Sequence, residues 1–305
     1  MARGQTHRAR VIEIGALRID REERVLTGSF GARLEAAVAA RGRLCVGIDP
    51  HAALLTAWGV GDDVAGLERF SATVVEALAD RVAVFKPQSA FYERFGTRGM
   101  AILESTIRQL RSAGAIVILD VKRGDIGSTA TAYAQAYLDP ASPMCVDAIT
   151  ASPYLGFGSL QPMIDIAIRN GNGLFVLALT SNPEAPSVQH ALTADGRTVG
   201  QLILDEVSQV NTGVQPLGSV GVVVGATIGE TGHDFSSVNG PILAPGLGAQ
   251  GAGAADLVTV FGTARRAVLP SYSREILAEG PDTARLRTAT ERALAACADA
   301  LATTS

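Results

Sequence analysis

Lysine is almost missing from this chain of 305 residues: Lys86 and Lys122 are its only two among 26 lysines and arginines. Arginine stays charged at any pH a cell experiences, whereas lysine can give up a proton at a tuned site. A chain that uses arginine wherever either base would serve marks its two lysines as candidates for proton chemistry. Cysteine is also scarce. Cys45, Cys145 and Cys297 are odd in number, far apart and in apolar surroundings, which excludes a disulfide framework or a thiolate zinc site and fits a reducing cytoplasm. His7, His51, His190 and His233 are dispersed, with neither metal-ligand spacing nor a Ser/His/Asp arrangement, so no metal and no cofactor is expected. No apolar run reaches the roughly 18 residues of a membrane span. The basic residues 1–10 are not followed by the apolar stretch of a signal peptide. A formal net charge of -4 with only 18% charged residues argues against a nucleic-acid or anionic-membrane surface. Any positive charge offered to a substrate must be local. The few aromatics, Trp58, Tyr92 and Tyr154 among them, read as core or rim residues, not a stacking platform.

What the chain does have is a repeating alternation of buried strands and amphipathic helices. Short, nearly continuous apolar runs lie at 44–49, 82–87, 115–122, 146–152, 173–181, 220–227, 242–248 and 267–272. Continuous runs of this kind are parallel strands covered by helices. Helical patterns separate them at 67–80, 99–113, 125–137, 160–170, 197–211 and 254–265, with a last one at 282–300. The sixth connection, 228–240, has room for at most a turn of helix. Right-handed βαβ units build either an open sheet or a barrel. The polar residues decide: Asp49, Lys86, Asp120, Lys122, Ser181 and Gln250 all stand at or just past strand C-terminal ends, and such ends converge from many strands only at a barrel mouth. The reading is an α/β fold, a single (β/α)8 TIM barrel spanning residues 28–305. Residues 1–27, charged and irregular, form a poorly ordered N-terminal extension. A long Pro-containing connection at 182–196 is placed where barrels carry lids.

The sharpest local feature is Asp120-Val-Lys122-Arg-Gly-Asp125-Ile126, followed by Thr129. The strand period of two puts Asp120 and Lys122 on one side, facing the mouth. Asp125 stands at the start of the next helix, where the helix dipole favours a carboxylate. With Asp49 and Lys86 from the first two strands, four or five alternating charges should meet in one cleft. A surface ion pair is the bland alternative, but the buried run 116–119 just before it fits that poorly. A lysine flanked by carboxylates keeps its proton and can deliver it to a carbanion as charge develops. The second feature is Pro245-Gly-Leu-Gly-Ala-Gln250-Gly251. Its G-x-G-x-x-G spacing suggests a dinucleotide fold. However, it follows the seventh strand, and the residues about 20 positions later are apolar instead of the acidic ribose ligand. A Gly-rich turn there suits the phosphate site of barrels, with Arg274 past the eighth strand as a clamp.

The run from Asp120 to Thr129 resembles the D-x-K-x-x-D-I-x-x-T signature of the orotidine 5′-phosphate decarboxylase family. Gly47-Ile-Asp49-Pro50, Phe85-Lys86-Pro87, Thr180-Ser181-Asn-Pro183 and the Pro245–Gly251 turn resemble further family blocks in the same order, over residues 28–300, in the manner of longer-chain actinobacterial members. The resemblance implies a cofactor-independent carboxy-lyase acting on orotidine 5′-phosphate. In it Lys122 protonates C6 of the pyrimidine, Asp120 faces the leaving carboxylate, Lys86 and Asp49 bind ribose hydroxyls and extend the charged array, and Asp125 is catalytic with them. It implies that Asp49, Ile126, Thr129, Ser181, Pro245, Gln250 and Arg274 bind substrate. Ser181 would contact the pyrimidine edge, Gln250 bridge base and phosphate, and Arg274 grip the phosphate. It also implies a homodimer in which Asp125 and Thr129 reach into the neighbour's site. Where the family has Gly-Arg, this chain has Ser273-Arg274, which leaves Arg265 or Arg266 as alternatives. A magnesium-dependent sugar-phosphate lyase of the same suprafamily would keep the D-x-K-x-x-D run but carry an acidic residue in place of Lys86. A non-catalytic nucleotide-binding barrel would have no need for every charged position.

Overall fold

A computed structural model describes residues 28–230, 232–248 and 251–302. The expected N-terminal extension, 1–27, and Gln250 lie outside the described residues.

Eight parallel strands close a barrel in sequential order: β1 (Cys45–Ile48), β2 (Val84–Pro87), β3 (Ile116–Arg123), β4 (Ala148–Ala151), β5 (Gly173–Leu179), β6 (Val220–Val224), β7 (Ile242–Pro245) and β8 (Val268–Tyr272). β8 returns to β1 by pairing Cys45 with Ser271 and Val46 with Tyr272. Each strand falls within one of the eight apolar runs, apart from the last residue of β3. Most strands stop short of the run's end, because the polar residues that follow turn away into mouth loops. The helices of the described residues are α1 (Phe30–Arg41), α2 (Ala52–Ala57), α3 (Val64–Leu78), α4 (Ala90–Glu93), α5 (Gly96–Ser112), α6 (Gly127–Leu138), α7 (Gln161–Arg169), α8 (Pro186–Gln189), α9 (Val199–Val210), α10 (Asp256–Phe261), α11 (Arg274–Leu277) and α12 (Thr283–Leu301). Among the described residues the connection from β6 to β7 carries no helix, within the expected limit of one turn.

Two apolar clusters follow from the pleat. Alternate strand residues such as Val46, Phe85, Val117, Leu119 and Ile149 face outward against the helices. Their neighbours Cys45, Val84, Ile116, Ile118, Ala148, Phe175, Val223, Leu243 and Leu269 fill the interior. At the N-terminal end of the barrel, α1 adds Phe30, Leu34 and Val38 to this inner cluster. Spaced by four, they form one helical stripe. Ser29 starts the helix, its hydroxyl accepting from the Ala32 amide at 3.2 Å. Phe30 meets Phe175 edge-on at 5.9 Å between centroids. Gly173 is required beneath it, since a Cβ there would stand 2.3 Å from the Phe30 ring. Fully burying a side chain of this size contributes about 1.5–3 kcal/mol, so α1 is a structural floor. Beside it Arg33 pairs with buried Asp147 at 2.7 Å and donates to the Gly171 carbonyl at 2.9 Å. Asp147 also accepts from the Val117 amide at 3.0 Å, and Arg111 lies 3.7 Å away.

Above the mouth, the connection after β5 holds α8 and a single bridge between Leu192 and Thr198. Gln189 ties it to the end of β5, accepting from the Thr180 amide and donating to the Thr180 hydroxyl, both at 2.8 Å. Among the described residues, no helix is long and apolar enough to cross a membrane.

Candidate active site

The interior alternation ends in polar residues at the C-terminal ends of β1, β2, β3, β4 and β8, whereas β6 and β7 bring Val223 and Leu243 to the same level. In steps of two, Cys45 and Gly47 lead to Asp49, Val84 to Lys86 and Gln88, Ile118 to Asp120 and Lys122, Ala148 to Thr150, and Leu269 to Ser271 and Ser273. These side chains line a cavity of about 470 Å³ together with Thr180, Ser181, Pro245 and Arg274. Apolar layers therefore fill the barrel below, and above them the cavity has a charged side from β1 to β3 and an apolar side of Leu177, Val223 and Leu243.

Asp120 is the hub. Its Oδ2 accepts from Lys86 Nζ at 2.9 Å, and its Oδ1 accepts from Lys122 Nζ at 2.6 Å and from the Thr150 hydroxyl at 2.8 Å. Burial by itself would raise the Asp120 carboxyl. The ammonium groups of Lys86 and Lys122 outweigh it and hold the group well below the ordinary carboxylate range. Burial by itself would likewise strip Lys86 of its proton, but the carboxylates of Asp120 and Asp49 hold its ammonium above the usual range. The two lysines differ in access: the Lys86 side chain is 8% exposed and that of Lys122 is 45% exposed. Asp49 is fixed by the Ser273 hydroxyl, which donates to Oδ2 at 2.5 Å. Its Oδ1, like Gln88 Oε1, is buried with no hydrogen-bond partner among the described residues. Buried acceptors without donors are unusual and suit a hydroxyl-bearing ligand.

The sequence expectation that Asp120 and Lys122 share a side holds, but not through a simple pleat. The pairing of β3 with β4 shifts between Leu119 and Arg123, and Lys122 has φ 44°. A left-handed residue other than glycine is uncommon and clusters at functional sites. The irregularity re-aims Lys122 at Asp120.

Of the expected residues, Asp49, Lys86, Asp120, Lys122, Ser181, Pro245 and Arg274 line the one cavity. Asp125, Ile126 and Thr129 do not. Asp125 precedes α6, accepting from the Ile126 amide at 2.8 Å, and Ile126 is 62% exposed. Four of the expected charges, Asp49, Lys86, Asp120 and Lys122, thus meet in this chain's own cavity. Arg274 stands at the cavity rim, whereas Arg265 points elsewhere and donates to the Ala302 carbonyl at 3.4 Å. Sequence reasoning missed Gln88, Thr150, Ser271, Ser273 and His51, all of which line the cavity. The period of two, continued from the interior residues, would have found the first four. Among the described residues, no group of His, Cys, Asp and Glu is arranged to hold a metal ion.

A sequence model of the "Orotidine 5'-phosphate decarboxylase / HUMPS family" matches residues 42–289. Orotidine 5′-phosphate decarboxylase of Salinispora arenicola is 71% identical over 273 residues, 90% of this chain and 98% of that protein. The enzyme of Streptomyces coelicolor is 61% identical over 263 residues, 86% of this chain and 95% of that protein. A crystal structure from Streptomyces avermitilis, 59% identical, superposes with a TM-score of 0.88 over 90% of this chain and 96% of the other. Matches of this extent and identity mean that the chain belongs to the orotidine 5′-phosphate decarboxylase / HUMPS family.

Proposed function

We propose that this protein decarboxylates orotidine 5′-phosphate to UMP in de novo pyrimidine biosynthesis, in the cytoplasm and without a cofactor. The observation that carries this reading is the Lys86–Asp120–Lys122 array, with contacts of 2.9 and 2.6 Å, in a cavity on top of an apolar barrel. The substrate carboxylate lies against Asp120, where it is poorly tolerated. The C6–carboxylate bond breaks, CO₂ departs, and the electron pair stays on C6. The Lys122 ammonium gives its proton to C6 and later recovers one from water. A preformed ammonium where negative charge develops stabilises the transition state without reorganisation.

Asp49 and Lys86 take the ribose hydroxyls, which supports a donor for the open Asp49 Oδ1. Ser181 meets the pyrimidine edge, Pro245 flanks it, Gln250 bridges base and phosphate, and Arg274 clamps the phosphate. The active form is a homodimer in which Asp125, Ile126 and Thr129 enter the partner's site. Support comes from the exposed apolar face around them: Ile126 is 62% exposed, and Tyr154 and Leu155 on the adjoining loop after β4 are 80% and 55% exposed. The Mg²⁺-dependent lyases of the suprafamily are disfavoured by Lys86, which puts a cation where their acidic residue stands. The test is the loss of ultraviolet absorbance from orotidine 5′-phosphate with EDTA present. Undiminished turnover is expected; an inert substrate, or activity that EDTA removes, overturns the reading.

A further inference from the structure

We propose that Thr150 is a positioning residue for the decarboxylation, setting Lys122 and Asp120 against each other; this rests on the reading above. Thr150 is 1% exposed, in the middle of β4. Its hydroxyl has one proton to donate and lone pairs to accept. It donates to Asp120 Oδ1 at 2.8 Å and accepts from the Lys122 amide at 2.9 Å. Both capacities are therefore used on the two residues nearest the chemistry.

The strand pairing shows why such a bridge is needed. β3 and β4 pair at Leu119↔Ile149 and next at Arg123↔Ala151. Three residues of β3, from Asp120 to Lys122, thus stand against Thr150 alone. A regular ladder cannot serve the Lys122 amide there, and with φ 44° that residue has left the strand conformation. The threonine hydroxyl substitutes for the missing ladder bond and anchors Asp120 Oδ1 in the same step. Valine would fill the same volume and suit a strand equally well, so packing does not account for a hydroxyl at this point. Without it, the Lys122 amide loses its acceptor and Asp120 one of its three donors. Both the left-handed turn and the carboxylate's orientation would then drift. An ammonium misplaced by a fraction of an ångström loses transition-state contact before it loses ground-state binding.

Kinetics and crystallography of Thr150→Val and Thr150→Ser decide the matter. Thr150→Val should lower kcat by about 10- to 100-fold, with KM for orotidine 5′-phosphate within about threefold of wild type, as expected when a contact acts only in the transition state. Thr150→Ser, which restores the hydroxyl, should recover most of that loss. A crystal structure of the valine variant should show Lys122 out of the left-handed region or Asp120 rotated. The proposal is overturned by a kcat for Thr150→Val within twofold of wild type, by a serine variant as impaired as the valine one, or by an undisturbed Lys122–Asp120 geometry. A wild-type protein that leaves orotidine 5′-phosphate intact would sink the decarboxylase reading, while the crystallographic arm still decides the positioning role by itself.

Discussion

The barrel carries the same charge motif at both ends, a buried aspartate between two bases. At the floor Asp147 sits between Arg33 at 2.7 Å and Arg111 at 3.7 Å, sealed by α1. At the mouth Asp120 sits between Lys86 at 2.9 Å and Lys122 at 2.6 Å, under a cavity of about 470 Å³. The geometry is similar and the base is not. Arginine, permanently charged and able to reach carbonyls as well, fastens elements together. Lysine offers a proton that can leave. On the proposed reading, the chain's only two lysines stand where a proton has to move.

The largest effects should come from exchanging the bases at the mouth. Lys122→Ala should lower turnover by about 10³- to 10⁵-fold, since proton donor and charge stabiliser go together. Lys122→Arg should be almost as inactive, because it keeps the charge and withholds the proton. Near-normal kcat from a folded Lys122→Arg protein would erase the distinction between the two ends. The floor should respond in the opposite way. Arg33→Ala leaves Asp147 short of its closer partner and should cost about 3 kcal/mol, a fall of about 6–12 °C in melting temperature for a domain of this size. Turnover per folded molecule should stay within twofold, read by calorimetry alongside active-site titration.

In the proposed dimer the mouth also differs from the floor in being completed from outside. If Asp125 serves the partner's site, homodimers of Lys122→Ala and of Asp125→Ala should each be nearly dead. Exchange of subunits makes half the dimers mixed, and one site in each mixed dimer is intact, so about a quarter of all sites should recover by two-fold symmetry. No recovery under exchange conditions would assign Asp125 to its own subunit.

How much of this was legible without coordinates depends on the length of the signal. Eight buried strands and the helices between them show in the sequence because each run is long and apolar, and Lys86, Asp120 and Lys122 stand out as charges at strand ends. Thr150 and Ser271 do not, since one hydroxyl residue in an apolar strand reads as ordinary strand. The turn of β3 at Lys122 leaves no compositional trace, so the sequence does not separate Asp125, outside this chain's own cavity, from the four charges that line it. Nor does a stripe of Phe30, Leu34 and Val38 reveal that it fills a barrel from below instead of covering it from the side.

Smaller effects sharpen the contrast within the mouth itself. Arg274→Ala should weaken orotidine 5′-phosphate by about 10- to 100-fold while sparing the phosphate-free nucleoside. Arg265→Ala should do neither. The reverse pattern in inhibition constants would move the phosphate site. The smallest effect is electrostatic. The ionised Asp120 is held below its unfolded range, so its share of stability is complete above about pH 3.9 and is lost as the pH falls further. The gap in melting temperature between wild type and Asp120→Asn should be flat from pH 8 to 5 and narrow below about pH 4. A gap that closes already between pH 7 and 5 would mean that the two ammonium groups do not hold the carboxylate.

The unequal exposure of the two lysines has a practical consequence for chemical footprinting. Apart from its α-amine, the chain offers an acylating reagent two amines, both paired with Asp120, and one of them, on Lys86, is buried. Lys122, with 45% of its side chain open, is the accessible target. A lysine-specific protease finds equally little to cut, because Pro87 follows Lys86 and leaves the bond after Lys122 as the exposed choice. The molecule thus carries its own reporter: one mass shift on one peptide reads out whether the cavity is open or filled, without a tag or a mutation.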